Sequence, residues 1–255
     1  MFNYNGVTIP RMIVLAAGMP RAGSGWHYNL THDLMRTVGA SDARDVRERY
    51  RLRDILTEVN CNIGVLSPRR LARLFVRAGL RETFTIKLHA GPTGGGKFLI
   101  RRGLIRPTYI YRDPRDALVS AYEYGERARA AGRVNAFSPL ISLDAAIDFI
   151  AEYVGYGSEW MAVPDCHTLR YEDLRSDYEA EAARLARFLC VDSEAPAAAA
   201  VIDRYRPERA QWDTPGLHFV KGVSGRYREV LSEEQQGRCL ELFGMQLGKM
   251  GYQSG

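Results

Sequence analysis

Short apolar runs alternate along this chain with longer stretches of helical period. The run "MIVLAA", Met12–Ala17, and the segments Phe84–Leu88, Thr108–Tyr111 and His167–Arg170 read as strands. Between and after them the spacing of apolar positions predicts helices from about Gly25 to Thr37, Pro68 to Ala78, Pro114 to Ala130, Leu143 to Tyr156 and Asp177 to Leu189. A last helix starts near Ser232, where "SEEQ" supplies an N-cap and a capping-box glutamine, Gln235. The stretch "APAAAA" near residue 197 is a helix-prone alanine patch, and no repeat or low-complexity linker divides the chain. Strands alternating with amphipathic helices predict an α/β fold: a single domain over residues 1–255 with a central parallel β-sheet flanked by helices. Ligands of such sheets sit at the carboxyl ends of the strands, so the chemistry is expected there.

Composition narrows the reading only a little. A chain of 255 residues with 46% apolar and 25% charged content can bury a sizeable core. The formal charge of +5 leans basic and comes mostly from arginine, since only Lys87, Lys97, Lys221 and Lys249 are lysines. That balance suits nucleic acid, an anionic membrane or a multiply charged small ligand alike. Cys61, Cys166, Cys190 and Cys239 are far apart and form no C-x-x-C pair, which predicts free thiols and neither a zinc site nor a disulfide framework. Met12–Ala17 is too short to span a bilayer and leads straight into a glycine turn, so the chain reads as cytoplasmic.

Four segments carry candidate chemistry. The first, "GMPRAGSGWHYN" (Gly18–Asn29), resembles a phosphate loop without its lysine: Ser24 stands where G-x-x-x-x-G-K-[ST] needs one, and Arg21 sits two places before Gly23. A glycine turn between strand and helix converges backbone N–H groups on an anion, and the helix N-terminus adds partial positive charge. In the second, "YIYRDPRDALVSAY" (Tyr109–Tyr122), Arg112 ends a strand, Pro114 opens a helix and Ser120 lies behind, so Arg112 and Ser120 are expected to converge on one anion. The competing reading is a solvated cluster of Arg112, Asp113, Arg115 and Asp116 capping the helix. The third, "FTIKLHAGPT" (Phe84–Thr93), puts Lys87 and His89 on one side of a strand end, a pairing suited to charge stabilisation and proton abstraction. In the fourth, "VKGVSGRYREVLS" (Val220–Ser232), Lys221 and Gly222 are placed to hold a further phosphate.

Together and in this order, the segments resemble those of the sulfotransferases that use 3'-phosphoadenosine 5'-phosphosulfate (PAPS), and most closely the cytosolic type. The 5'-phosphosulfate loop of that family, approximately "YPKSGTTW", corresponds to "MPRAGSGW", Met19–Trp26. The resemblance implies cofactor contacts from Arg21, Ala22, Gly23, Ser24 and Gly25, with Trp26 stacking on adenine. It implies a 3'-phosphate grip from Arg112 and Ser120, an adenine-side tyrosine at Tyr171, and a late phosphate loop at Lys221 and Gly222. It also implies His89 as catalytic base, with Lys87 and Arg21 as catalytic cations. The implied fold is the P-loop-like nucleotide-binding sulfotransferase fold. PAPS would serve as co-substrate and PAP as product, with no metal. The departures are Gly25 in place of a threonine, Val220 in place of an arginine, and Glu233 and Gly237 in the dimer signature around Arg228–Gly237. These departures predict a monomer or a dimer not using the usual motif.

The expected reaction is sulfuryl transfer to a hydroxyl, less favourably an amine, of a small-molecule or carbohydrate acceptor, with neither nucleic acid nor membrane as partner. Asp33 and His32 are the next candidates for the base. "GPTGGGKFLIRRG" (Gly91–Gly103) and "AAGRVNAFSP" (Ala130–Pro139) are the expected lids. The alternatives are a P-loop-type nucleotide kinase, which needs a lysine and a metal-binding hydroxyl where Ser24 and Gly25 stand, and a nucleotide-binding protein without catalysis.

Overall fold

The structure is a computed structural model that describes residues 2–4, 7–9, 11–209 and 224–253, with the first two short segments described by backbone alone. Two strands, β1 (Phe2–Tyr4) and β2 (Val7–Ile9), form an antiparallel pair apart from the main sheet. The main sheet is built from β3 (Ile13–Gly18), β4 (Phe84–Leu88), β5 (Ile105–Tyr111) and β6 (His167–Arg170), in the order β4-β3-β5-β6 with every pair parallel. Its strands have both faces covered, as parallel sheets require. Ile13, Leu15 and Ala17 enter one core with Phe84, Ile86 and Tyr109, while Met12 and Val14 enter another with Ile110 and Leu169. That alternation is the period-two pattern of the pleat.

The first covering helix, α1 (Ser24–Thr37), follows β3 and packs back on β3 and β4. Next come α2 (Ala43–Arg49) and α3 (Pro68–Leu74), the latter running into a π-helical turn at Phe75–Gly79. β4 is an edge strand, yet its outer side is partly covered. Lys87 donates its N–H to the Cys61 carbonyl at 3.2 Å and accepts from the Ile63 N–H at 3.0 Å, making a bridge between Asn62 and Lys87. The helix α4 (Gly94–Arg101) precedes β5. It begins inside a segment read from sequence as a lid, because the Thr93 hydroxyl caps it by accepting from the Gly96 N–H at 3.2 Å.

β5 begins three residues earlier than the apolar pattern indicates. Pro107 lies inside it, but pairing with β6 starts only at Thr108↔His167, so the missing N–H falls on a locally open side. The helix α5 (Pro114–Ala130) has the predicted bounds, and α6 (Leu143–Met161) runs five residues past its predicted end. The segment after β6 divides at Asp177 into α7 (Tyr171–Ser176) and α8 (Tyr178–Phe188). The alanine patch becomes α9 (Pro196–Arg204), and α10 (Tyr227–Val230) leads to α11 (Glu233–Lys249). Both hydrogen bonds of the capping box between Ser232 and Gln235 are formed. A third core of α5, α6 and α11 residues, including Leu118, Ile150, Phe243 and Leu247, flanks the sheet. Among the described residues no helix is long and apolar enough to cross a membrane.

Candidate functional site

The loop leaving β3 is shaped by two close approaches. A Cβ on Gly18 would stand 2.6 Å from the Ile110 Cγ2. One on Gly23 would stand 2.8 Å from Cδ2 of Tyr171, and Gly23 also has φ +76°, a conformation that suits glycine. Arg21 takes φ +64° without that freedom, a strained conformation of the kind that clusters at ligand sites. The Ala22 N–H closes a turn on the Met19 carbonyl at 3.3 Å. Gly23 then serves as N-cap of α1 without a side chain of its own to cap it, and the first turn carries no acid. The first-turn amides of Ser24, Gly25 and Trp26 therefore lie at an uncapped N-terminus carrying the positive end of a fourteen-residue dipole.

Three titratable groups gather at this end of the sheet. The Arg21 guanidinium lies 4.5 Å from the centre of the Tyr124 ring, and its Nε donates to the Ser120 hydroxyl at 3.2 Å. Burial lowers it to about 10, and Arg127 and Arg112 add like charge against the pull of Tyr124. Lys87 is 6% exposed. Burial, then the charge of Arg21, lowers its ammonium to about 8. His89 holds Nδ1 2.6 Å from the carbonyl oxygen of Gly18. A carbonyl only accepts, so Nδ1 carries the proton and Nε2 keeps its lone pair. Burial and then Lys87 lower His89 to about 3, so the ring is neutral near pH 7. The structure thus brings Arg21, Lys87 and His89 together beside the loop.

Arg112 stands on the other flank. Its Nη1 donates to the Arg21 carbonyl at 3.5 Å, and its guanidinium lies 4.7 Å from the centre of the Tyr171 ring. Ser120 meets Arg21 directly. Asp113 does cap α5, accepting from the Arg115 N–H at 2.9 Å, but the cluster is buried and not solvated: Arg112, Asp113, Arg115 and Asp116 are each at most 7% exposed. Asp113 receives the Arg115 guanidinium through Nε at 3.0 Å and Nη2 at 2.8 Å. Asp116 accepts from the backbone N–H groups of Gly225 and Tyr227 at 2.7 and 3.1 Å, tying the start of α10 to α5.

Trp26, expected to stack on adenine, is packed among aromatic partners. Its indole is 1% exposed, stacks on Tyr178 with ring centres 5.7 Å apart, and donates from Nε1 to the Tyr205 carbonyl at 2.9 Å. Tyr171 meets it edge-on at 6.4 Å. Burying so large a ring against Tyr178 of α8 and Tyr205 at the end of α9 stabilises the core more than an exposed face would. Asp33 and His32 are also removed from the site. Their positions are about nine residues along α1, some 13 Å from its start at the helical rise. His32 Nδ1 pairs with Asp33 at 2.9 Å, and the Tyr205 hydroxyl donates to Asp33 at 2.7 Å. Val220, Lys221 and Gly222 lie outside the described residues.

Sequence reasoning missed an aromatic row. Tyr124, Phe137, Phe149, Tyr153 and Tyr156 follow one another at ring-centre separations of 5.0–5.7 Å, all half-buried. The row begins at Arg21 and ends against Gly91, whose Cβ would lie 2.7 Å from the Tyr156 ring. A helical spacing of Phe149, Tyr153 and Tyr156 was available as a signal, but Tyr124 and Phe137 join only through the fold.

Residues 96–251 match the model of the sulfotransferase domain family. Cytosolic sulfotransferase 15 of Arabidopsis thaliana is 26% identical over 199 residues, covering 69% of this chain. The match spans about half the length of that relative. A crystal structure of a mouse sulfotransferase complexed with PAP superposes with TM-score 0.64 at 14% identity, covering 94% of this chain and 85% of the other. Retinol dehydratase in complex with androsterone and PAP superposes with TM-score 0.62 at 16% identity, covering 94% and 82%. These likenesses establish the fold.

Proposed function

The chain belongs to the sulfotransferase domain family, and from that premise we propose that it transfers a sulfuryl group from PAPS to an acceptor hydroxyl, with His89 as general base. The observation that carries the reading is the convergence of Arg21, Lys87 and the neutral His89 with the uncapped N-terminus of α1. The family match begins at residue 96, so the roles of these earlier residues rest on their geometry and on the loop resemblance.

In the proposed reaction a new S–O bond forms to the acceptor oxygen while the S–O bond to the 5'-phosphate breaks, and PAP departs. The acceptor proton passes to His89 Nε2, the atom left with its lone pair because Nδ1 donates to Gly18. Arg21 and Lys87 stabilise negative charge on the sulfuryl oxygens and the departing phosphate, and the amides of Ser24, Gly25 and Trp26 hold the 5'-phosphate. Gly25 supplies only its N–H, so this loop lacks a hydroxyl at that point. Arg112 and Ser120, with Lys221 and Gly222, take the 3'-phosphate, and Tyr171 sits on the adenine side. The half-buried aromatic row from Tyr124 to Tyr156 favours an acceptor with an apolar, planar face next to its hydroxyl.

Calorimetry against PAP and ATP, followed by radiolabelled PAPS with a panel of alcohols, phenols and sugars, tests the proposal. PAP binding and label transfer to at least one acceptor are expected. ATP binding without PAP binding would overturn it in favour of the kinase reading.

A further inference from the structure

The sheet face beneath α1 is unusually polar. Register places Lys87, Ala16, Thr108 and His167 in one row across β4, β3, β5 and β6. Thr85, two residues before Lys87, shares its face. From the helix side, His27 and Thr31 lie one turn apart, and both are completely buried. Among the described residues no protein partner meets either ring nitrogen of His27, the hydroxyls of Thr31 and Thr85, or Nε2 of His167.

Polar atoms buried this deeply are satisfied in native proteins, and where no protein group reaches them ordered water does so. His27 lies within the field of both Lys87 and His167. Burial first, then each of those charges, lowers it to about 3. The ring is therefore neutral, with one N–H to give and one lone pair to receive. Lys87 on β4 and His167 on β6 are the titratable groups acting on it, with Arg21 beyond Lys87. Among the described residues no carboxylate acts on Lys87, whose ammonium feels burial and Arg21. A buried ammonium has three N–H donors to place, and carboxylate help is missing. Ala16, between Lys87 and Thr108 in the same row, brings no polar atom of its own to them.

We propose that His27 is a positioning residue for Lys87: through internal water shared with the Thr31 and Thr85 hydroxyls, its imidazole lone pair accepts from the ammonium, keeping it protonated and aimed at the loop. This rests on the reading of Lys87 as a cation of the transfer site, but its test needs no sulfuryl donor.

With four lysines in the chain, selectively isotope-labelled lysine yields a spectrum simple enough to follow one side chain by NMR, and Lys87→Met identifies its signal. In His27→Leu the Lys87 midpoint falls by about one pH unit, roughly tenfold in proton affinity, the scale of one charge-assisted hydrogen bond. His27→Gln, which keeps an acceptor, holds the midpoint near that of the natural protein. Thermal melting of His27→Leu shows separately that the variant is folded, with a midpoint lower at about pH 6, where the ammonium has lost its acceptor. An unchanged or raised Lys87 midpoint in folded His27→Leu overturns the proposal. Labelled histidine in the unaltered protein gives a second measurement that does not depend on any variant folding. The His27 ring shifts must inflect at the Lys87 midpoint, and a ring that ignores it overturns the proposal too. PAP titration of the same samples reports separately on the transferase reading.

Discussion

Replacing Gly23 with alanine tests the loop geometry through two independent penalties. The backbone at φ +76° costs an L-residue about 1–2 kcal/mol. The added Cβ meets the Tyr171 ring at 2.8 and 3.1 Å, which costs roughly 1–3 kcal/mol in a packed region. Alanine also loses less chain entropy on folding, which returns about 0.4–1 kcal/mol. The net loss of about 1–4.5 kcal/mol lowers the melting temperature by roughly 2–18 °C in a chain of this size. Combining Gly23→Ala with Tyr171→Ala removes the collision but not the backbone strain. A double-mutant cycle by urea unfolding therefore yields a coupling of about 1–3 kcal/mol, while Gly23→Ala remains destabilising in the Tyr171→Ala background. Because the amides of α1 start at this residue, PAP affinity measured by calorimetry falls by at least about tenfold. A Gly23→Ala protein that melts within about 1 °C of the parent and binds PAP unchanged would refute both the loop conformation and the packing of Tyr171 against it.

His89→Ala lowers turnover by roughly 100- to 10,000-fold while PAP binding is retained; near-full turnover removes His89 as the base. Arg115→Met leaves the Asp113 carboxylate buried without its two guanidinium bonds and frees the Gln253 carbonyl, so urea unfolding gives a loss of about 3–5 kcal/mol; a loss under about 1 kcal/mol contradicts the buried pair. His32 is a pH-dependent clamp: burial opposes its charge, but the hydrogen bonds its imidazole donates to Asp33 and Asp42 outweigh it and raise its pKa above 6.5. Its contribution is complete below about pH 6.5 and disappears as pH rises through the raised value, while the lowered Asp33 and Asp42 lose theirs as pH falls below about 4. The stability advantage over His32→Gln in urea should accordingly be larger at about pH 5.5 than at about pH 8.5, and an equal advantage at both refutes the clamp.

The elements legible in the sequence were those with local instructions. α5 follows from Asp113 as cap and Pro114 at its first position, and α11 from the Ser232–Gln235 box. β4 and β6 have their read bounds because unbroken strand-forming residues end at turns. α2 carried an equally local signal, with Asp42 accepting from the Arg44 N–H, but its seven residues are too few for a helical period to stand out. α4 was hidden by its three glycines, which suggest a loop until the Thr93 cap is seen. The site divides in the same way. Arg21 and Gly23, like Lys87 and His89, stand two apart in chain, so each pair could be read from its own short segment. The burial of Trp26 depends on Tyr178 and Tyr205, more than 150 residues away, and the polar row under α1 depends on strand register. Neither leaves a mark on local sequence.

The bridge between Asn62 and Lys87 gives one loop two custodial duties. Parallel edge strands present unpaired amides on which a second chain can nucleate. Here the same two hydrogen bonds that shield that edge also hold the backbone of Lys87. Any excursion that peels residues 61–63 away from β4 would loosen Lys87 and bare a template for strand-to-strand growth at once. Displacement of Lys87 and self-association would then share one opening event, and ageing of the protein in solution would follow the exchange rate of a single amide, that of Lys87.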